Sequence, residues 1–166
     1  MLDEIRDMVP YVDIITQMVK YFRCDEHIDI FEIGVRRATS TKAMLRGLQQ
    51  RLGNQKGHLY SCDVDDRSLA VPYEELLEYW TFYHKDSQEI EWDSPLDILF
   101  IDGEHTYDAV KRDYEKYEPF VKDEGIIFLH DMNPKATDAA KYWKEIDYPK
   151  VILNLNKSGL GIVTKI

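Results

Sequence analysis

Four places in the chain set an acid within three residues of the end of an apolar run. Leu96 to Tyr107, Leu-Asp-Ile-Leu-Phe-Ile-Asp-Gly-Glu-His-Thr-Tyr, puts Asp102, Glu104 and His105 after the run Ile98 to Ile101. Gly125 to Leu129 is closed by His130 and Asp131, His58 to Cys62 by Asp63-Val-Asp65-Asp66, and Trp80 to Tyr83 by His84-Lys-Asp86-Ser87. Carboxylates so placed can accept hydrogen bonds from ligand hydroxyl and amino groups, and an imidazole that titrates near neutrality can take a proton. An acid after a second strand, about 30 residues beyond the first strand-to-helix turn, suits a ribose diol. Asp65 or Asp66 could equally cap a helix starting near Arg67.

The elements that must hold these groups follow from the spacing of apolar residues. Ile98 to Ile101 is too short and too uniformly apolar for a half-exposed strand, so it belongs in a parallel sheet covered on both faces. Ligands of such sheets bind outside the carboxyl ends of the strands, which places Asp102, Glu104 and His105 at the mouth of a crevice. Ile28 to Gly34 is a strand, and Thr39 to Leu52 is a helix with Met44, Leu45, Leu48 and Leu52 on one side and Gly53 as its stop. Between them Gly34 allows close backbone approach, Thr39 and Ser40 can cap the helix, and its free amides suit a carboxylate or phosphate.

The remaining pattern completes the frame. Pro10 to Phe22 and Pro72 to Tyr79 have helical spacing, and Tyr107, Val110, Tyr114, Tyr117 and Val121 trace one helical face. A helix from Ala136 to Ile146 leads to strands Val151 to Leu155 and Leu160 to Ile166, which pair as a hairpin because no crossover helix separates them. Strands alternate with helices until that hairpin, which predicts an α/β three-layer sandwich.

The length of 166 residues is that of one domain, with residues 1–27 as a covering helix region and 28–166 as a Rossmann-like core. A net charge of -10 argues against nucleic acid and favours a small-molecule or protein partner. Two cysteines, Cys24 and Cys62, make no disulfide framework, and no apolar run reaches membrane-spanning length. The first residues lack the order of a signal peptide, so a reduced, cytoplasmic, soluble protein is expected.

The motifs Phe31-Glu-Ile-Gly-Val-Arg-Arg-Ala-Thr-Ser-Thr, Ser-Cys-Asp63, His-Lys-Asp86-Ser87, Phe-Ile-Asp102-Gly-Glu-His105-Thr-Tyr107 and Ile-Phe-Leu-His130-Asp131 occur in one order. In that order they resemble class I S-adenosylmethionine-dependent methyltransferases. Within that class the pattern is most similar to macrocin-type sugar O-methyltransferases and cephalosporin-hydroxylase-like proteins. The resemblance implies a seven-stranded sheet of order 3-2-1-4-5-7-6 with an antiparallel last strand. It also implies that Glu32 and Gly34, with Ser40 at the helix start, meet the methionine end of the cofactor. Asp63 would then take the ribose, Asp86 and Ser87 the adenine edge, and Asp102 the sulfonium side. Ala38 stands where the family usually has a second glycine.

The activity so implied is O-methylation of a small hydroxylated molecule such as a sugar or secondary metabolite, with His105 as base and Asp102 beside it. Asp102 and Asp131 would end neighbouring strands and could share Mg²⁺, with His130 as third ligand. A non-catalytic binding module of the same fold is the alternative. A nicotinamide oxidoreductase fits less well, because Gly34 lacks the further glycines of the dinucleotide fingerprint. Little sequence is left over for a lid, so an open crevice or a cover donated by a second copy of the chain is expected.

Overall fold

The alternation of apolar runs and amphipathic segments folds as the sequence predicts, around a mostly parallel sheet. A computed structural model describes residues 7–23, 26–53, 56–133, 135 and 137–166. A 3-10 turn (Val9–Tyr11) with Pro10 inside it leads into α1 (Val12–Tyr21). There follow β1 (Asp29–Ile33), α2 (Thr39–Gln49), β2 (His58–Asp63), the single turn α3 (Glu74–Leu77) and β3 (Trp80–His84). The second half comprises β4 (Leu96–Ile101), α4 (Tyr107–Tyr117), β5 (Val121–His130), β6 (Lys150–Leu153) and β7 (Leu160–Thr164). Among the described residues the strands form one seven-stranded sheet in the order β3-β2-β1-β4-β5-β7-β6. β1 to β5 pair in parallel, whereas β7 runs antiparallel to β5 and β6.

Alternate side chains of the central strands feed two cores, as the two-residue period of a strand requires. Ile30, Leu59, Ile98, Phe100 and Phe128 pack beneath Ile15, Val19, Met44, Leu45 and Leu48 of α1 and α2. Phe31, Leu99, Ile101, Ile127 and Leu129 pack beneath Val110, Tyr114 and Tyr117 of α4 on the other face. All six residues of β4 are therefore buried, which explains why its sequence shows no polar alternation. Asp97 survives inside it because Arg23, Lys122 and the Asp29 amide all reach its carboxylate.

Several boundaries differ from expectation. α2 stops at Gln49, so Leu52 falls in the following turn and is 72% exposed instead of joining the helix's apolar side. No helix starts at Arg67; residues 64–70 form bends and turns, with the Asp66 side chain accepting the Ser68 amide. The predicted helix over Pro72 to Tyr79 shrinks to α3, and Val121 opens β5 instead of extending α4. The segment before the hairpin is a 3-10 helix, Ala139–Lys144. Cys24, residues 1–6 and Ala136, where that helix was expected to begin, lie outside the described residues. Among the described residues no helix is long and apolar enough to cross a membrane.

The end of α1 is closed by a residue the spacing did not single out. Arg51 is 3% exposed, and its guanidinium donates to the carbonyls of Val19, Phe22, Arg23 and Glu26 at 2.6 to 2.7 Å. It satisfies the carbonyls that a helix end leaves without partners. Arg51→Met is expected to lower stability by about 2 to 4 kcal/mol, since several partly buried acceptors lose their donor at once. Urea unfolding should show a lower midpoint with an unchanged slope; an unchanged midpoint would mean that water replaces the guanidinium at no cost.

Candidate functional site

The turn after β1 rests directly on the end of β4. Gly34 has φ +89°, and a Cβ there would lie 2.1 Å from the Asp102 carbonyl oxygen, so only glycine allows this approach. The Gly34 amide donates to the Cys62 carbonyl at 2.9 Å and the Asp102 amide to that of Ile33 at 2.8 Å, which ties the ends of β1, β2 and β4 together. The turn then passes through Arg36 (φ 47°) and Ala38 (φ 57°) before α2 begins. Ala38 is buried and holds the left-handed backbone that the resembled family gives to glycine.

An anion in the turn that precedes α2 is supplied by the chain itself. Asp63 Oδ2 accepts the amides of Val35 and Arg36 at 2.9 and 2.8 Å, and its Oδ1 accepts the Asp65 amide at 2.9 Å. Asp63 thus faces the cavity while bracing the turn that forms its floor. Ser40 does not cap α2. Its hydroxyl donates to Glu32 at 2.6 Å, as Thr41 and Ser61 do at 2.8 and 2.7 Å, and Trp80 Nε1 donates in turn to Ser61.

Glu32 departs from its expected place at the methionine end. It has no solvent exposure, both its oxygens are taken by hydroxyls, and it supports the Gly34 turn from beneath. Burial pushes its carboxyl up to about 7, against the opposing pull of the Ser40, Ser61 and Thr41 hydroxyls.

Above this floor lies a cavity of about 490 Å³, bounded by Gly34, Ser40, Asp63, Asp86, Asp102 and His105. Asp86 accepts the Gln88 amide at 2.8 Å and so caps a short 3-10 turn, Ser87–Glu89. The Ser87 hydroxyl, expected at an adenine edge, is committed elsewhere: it donates to Asp113 Oδ1 at 2.5 Å. Gln88 Nε2 donates to the same oxygen at 2.9 Å. Burial raises the Asp113 carboxyl, and the Ser87 and Gln88 bonds oppose that rise. The sequence reading missed both Gln88 and Asp113. The signal for Asp113 was its position, since it falls between Val110 and Tyr117 on the inner stripe of α4, where a charge needs a partner.

Opposite this loop the acids of β4 and β5 meet two imidazoles. His130 Nδ1 lies 3.0 Å from Asp102 Oδ1 and 3.2 Å from Asp131 Oδ2, and His105 Nδ1 lies 2.8 Å from Asp131 Oδ2. Burial would lower the His130 imidazole, yet the two carboxylates outweigh it and raise it to about 10. His105 is raised by its hydrogen bond to Asp131 against a smaller opposing effect of burial. Burial alone would raise Asp131, but the two imidazoles hold it well below the usual carboxylate range. Asp131 also has φ 60°, a backbone strain often found where function fixes a side chain.

This geometry alters the expected metal set. His130 Nδ1 already sits between the two acids, while its Nε2 is buried without a hydrogen-bond partner among the described residues. One ligand atom from each of Asp102, His105 and Asp131 lies within 4.8 Å of the other two. An oxygen, nitrogen, oxygen donor set of this kind fits a divalent cation, with His105 in the place expected for His130.

Known proteins share this frame. A family model described as a methyltransferase domain matches residues 31–132. The solved O-methyltransferase from Bacillus cereus in complex with SAH superposes with a TM-score of 0.67 at 14% identity, over 94% of this chain and 79% of that one. CalS11, a TDP-rhamnose 3'-O-methyltransferase of calicheamicin biosynthesis, gives 0.70 at 14% identity, over 97% and 80%. The MycE methyltransferase of the mycinamycin pathway, in complex with Mg, SAH and mycinamycin VI, gives 0.63 at 17% identity, over 95% and 49%. At such identities the likeness is one of fold. An uncharacterised protein from Sinorhizobium fredii is 31% identical over 74 residues, which make up 43% of this chain and 8% of that protein.

The buried Glu32 has a consequence for stability. Its carboxyl titrates near 7 in the folded chain against 4.5 unfolded, so between these values the folded state binds more protons and stability falls as pH rises. Glu32→Gln keeps the shape and removes the titration. The wild type is expected to lose about 3 kcal/mol relative to the variant between pH 4.5 and 7. Parallel denaturant curves for both proteins would measure this, and a constant difference across that range would show that Glu32 stays ionised.

Proposed function

The chain belongs to the methyltransferase-domain family, and from that premise we propose that it moves the methyl group of S-adenosylmethionine to a hydroxyl of a small molecule, such as a sugar or secondary metabolite. The observation that carries this reading is the His105–Asp131 contact of 2.8 Å at one side of a cavity whose floor is Gly34, Asp63 and the end of β4. When bound, S-adenosylmethionine supplies an electrophilic methyl on a sulfonium. The protein must then align, exclude water and remove one proton.

The residues divide that work. Gly34 gives the floor its close backbone, Asp63 and the loop from Asp86 to Gln88 meet the nucleoside, and Asp102 meets the sulfonium side. Asp131 Oδ2 holds His105 Nδ1–H, which leaves Nε2 to accept the proton of the acceptor hydroxyl. Asp7 and Met8, from the segment before α1, line the same cavity and support an acceptor covered from that side. The TDP-rhamnose 3'-O-methyltransferase among the similar folds supports a hydroxylated acceptor such as a sugar.

A second reading is favoured by the proximity of Asp102, His105 and Asp131. These three would hold Mg²⁺, which as a Lewis acid would lower the pKa of a bound hydroxyl. His105 would then be a ligand, and the proton would need no imidazole.

Calorimetry and a labelled methyl donor offered to hydroxylated acceptors test both readings. Saturable heat with S-adenosylhomocysteine and none with NAD is expected; the reverse overturns the proposal, and heat without transfer to any acceptor leaves a binding module. With an acceptor in hand, His105→Ala should slow transfer by about 10² to 10⁴ while nucleotide affinity holds. The base must be neutral and its pKa is raised, so the rate should climb with pH through a value above 6.5. Loss of turnover in chelator, restored by Mg²⁺, selects the metal reading; full turnover in chelator selects the imidazole.

A further inference from the structure

We infer that Asp113 is a positioning residue that fixes the direction of the Gln88 side-chain amide and thereby makes the nucleoside end of the cavity select a base with an exocyclic amino group. The inference rests on the S-adenosylmethionine reading above. Asp113 lies on the inner face of α4, 7% exposed, where nothing in the core requires a charge. Its Oδ1 accepts Ser87 Oγ at 2.5 Å and Gln88 Nε2 at 2.9 Å.

The loop itself is anchored by other groups. Lys116 Nζ donates to the carbonyls of Ser87 and Gln88 at 2.7 and 2.8 Å, and the Tyr117 hydroxyl donates to that of Ser87 at 2.7 Å. Asp86 fixes the Gln88 backbone amide. Asp113 therefore adds little to where the loop sits. What it adds is orientation of one planar group.

A carboxylate accepts and does not donate, so the amide nitrogen of Gln88 must turn toward Asp113. The Ser87 oxygen, 3.3 Å from the same nitrogen, reinforces that choice. The carbonyl oxygen on the other limb of the amide is then left for the cavity that Gln88 lines. An acceptor fixed in this way pairs with the 6-amino group of adenine. It faces the 6-oxo group of hypoxanthine acceptor against acceptor, and an acceptor that ligand binding covers without a donor is costly.

The experiment is calorimetric titration with S-adenosylhomocysteine and its 6-oxo analogue, S-inosylhomocysteine. The wild type should prefer the adenosyl compound by about tenfold or more. In Asp113→Asn the new amide can donate, so the Gln88 amide can turn over and the preference should collapse toward equal affinity. Gln88→Leu, at an exposed side chain, should remove the preference without disturbing the fold. A merely structural Asp113 would weaken both compounds alike and keep their ratio, which overturns the inference. Equal affinities in the wild type overturn it while sparing the S-adenosylmethionine reading, and binding of neither compound overturns both. A readout that needs no substitution is the ¹⁵N signal of the Gln88 side-chain amide in the wild type. Slow hydrogen exchange there supports the bond to Asp113, and exchange at the rate of a free amide counts against it.

Discussion

The architecture depends on a backbone contact that leaves no space for a side chain, the approach of Gly34 to the carbonyl of Asp102. Because this contact brings the end of β1 onto the end of β4, the turn between β1 and α2 must run through left-handed backbone at Arg36 and Ala38. Such a turn points successive amides in one direction, and an unpaired buried amide is expensive. Asp63 from β2 answers two of them, and beneath the turn Glu32 collects three hydroxyls. Thus the two acids nearest the turn hold up a floor, and only Asp63 also presents itself to the cavity.

The same logic governs the other wall. Asp102 and Asp131 end adjacent strands, and two carboxylates so close would repel unless a positive group lay between them. His130 supplies that group from the last position of β5, with its Nδ1 3.0 Å from Asp102 and 3.2 Å from Asp131. Breaking a buried pair costs more than the pair contributes, because the surviving charge is left uncompensated. His130 is buried between these acids, whereas His105 is more exposed and touches only Asp131 among them.

Much of the frame was legible in the sequence because parallel strands advertise themselves. β4 and β5 carry short, uniformly apolar runs, Ile98 to Ile101 and Gly125 to Leu129, that end close to acids, and the sheet order and terminal hairpin came out as expected. The helices were harder. Between β2 and β3 the chain has apolar residues at helical spacing, yet Leu69, Tyr73 and Leu77 remain exposed because the segment never docks a full face onto the sheet. Propensity without a surface to bury against gives one turn, α3, where two were predicted.

Side-chain partnerships were less legible, since composition does not reveal which polar groups find each other across the fold. Glu32, Ser40 and Ser87, which the family resemblance puts at the cofactor, each bond a neighbouring side chain, although Ser40 and Ser87 also line the cavity. Arg51 and Asp113 went unnoticed because a charge in a helical stretch is normally a solvated one. Both are buried: Arg51 closes the exit from α1, and Asp113 bonds two side chains of the loop after β3, segments that strand periodicity cannot describe. A buried charge must be paired or it costs several kcal/mol, so where one persists its partners locate the irregular backbone that the fold has to pin. By that argument the acid on the inner stripe of α4 marks the loop where this fold discriminates between ligands, while the hydroxyl-ringed acid under Gly34 marks the turn where it holds itself together.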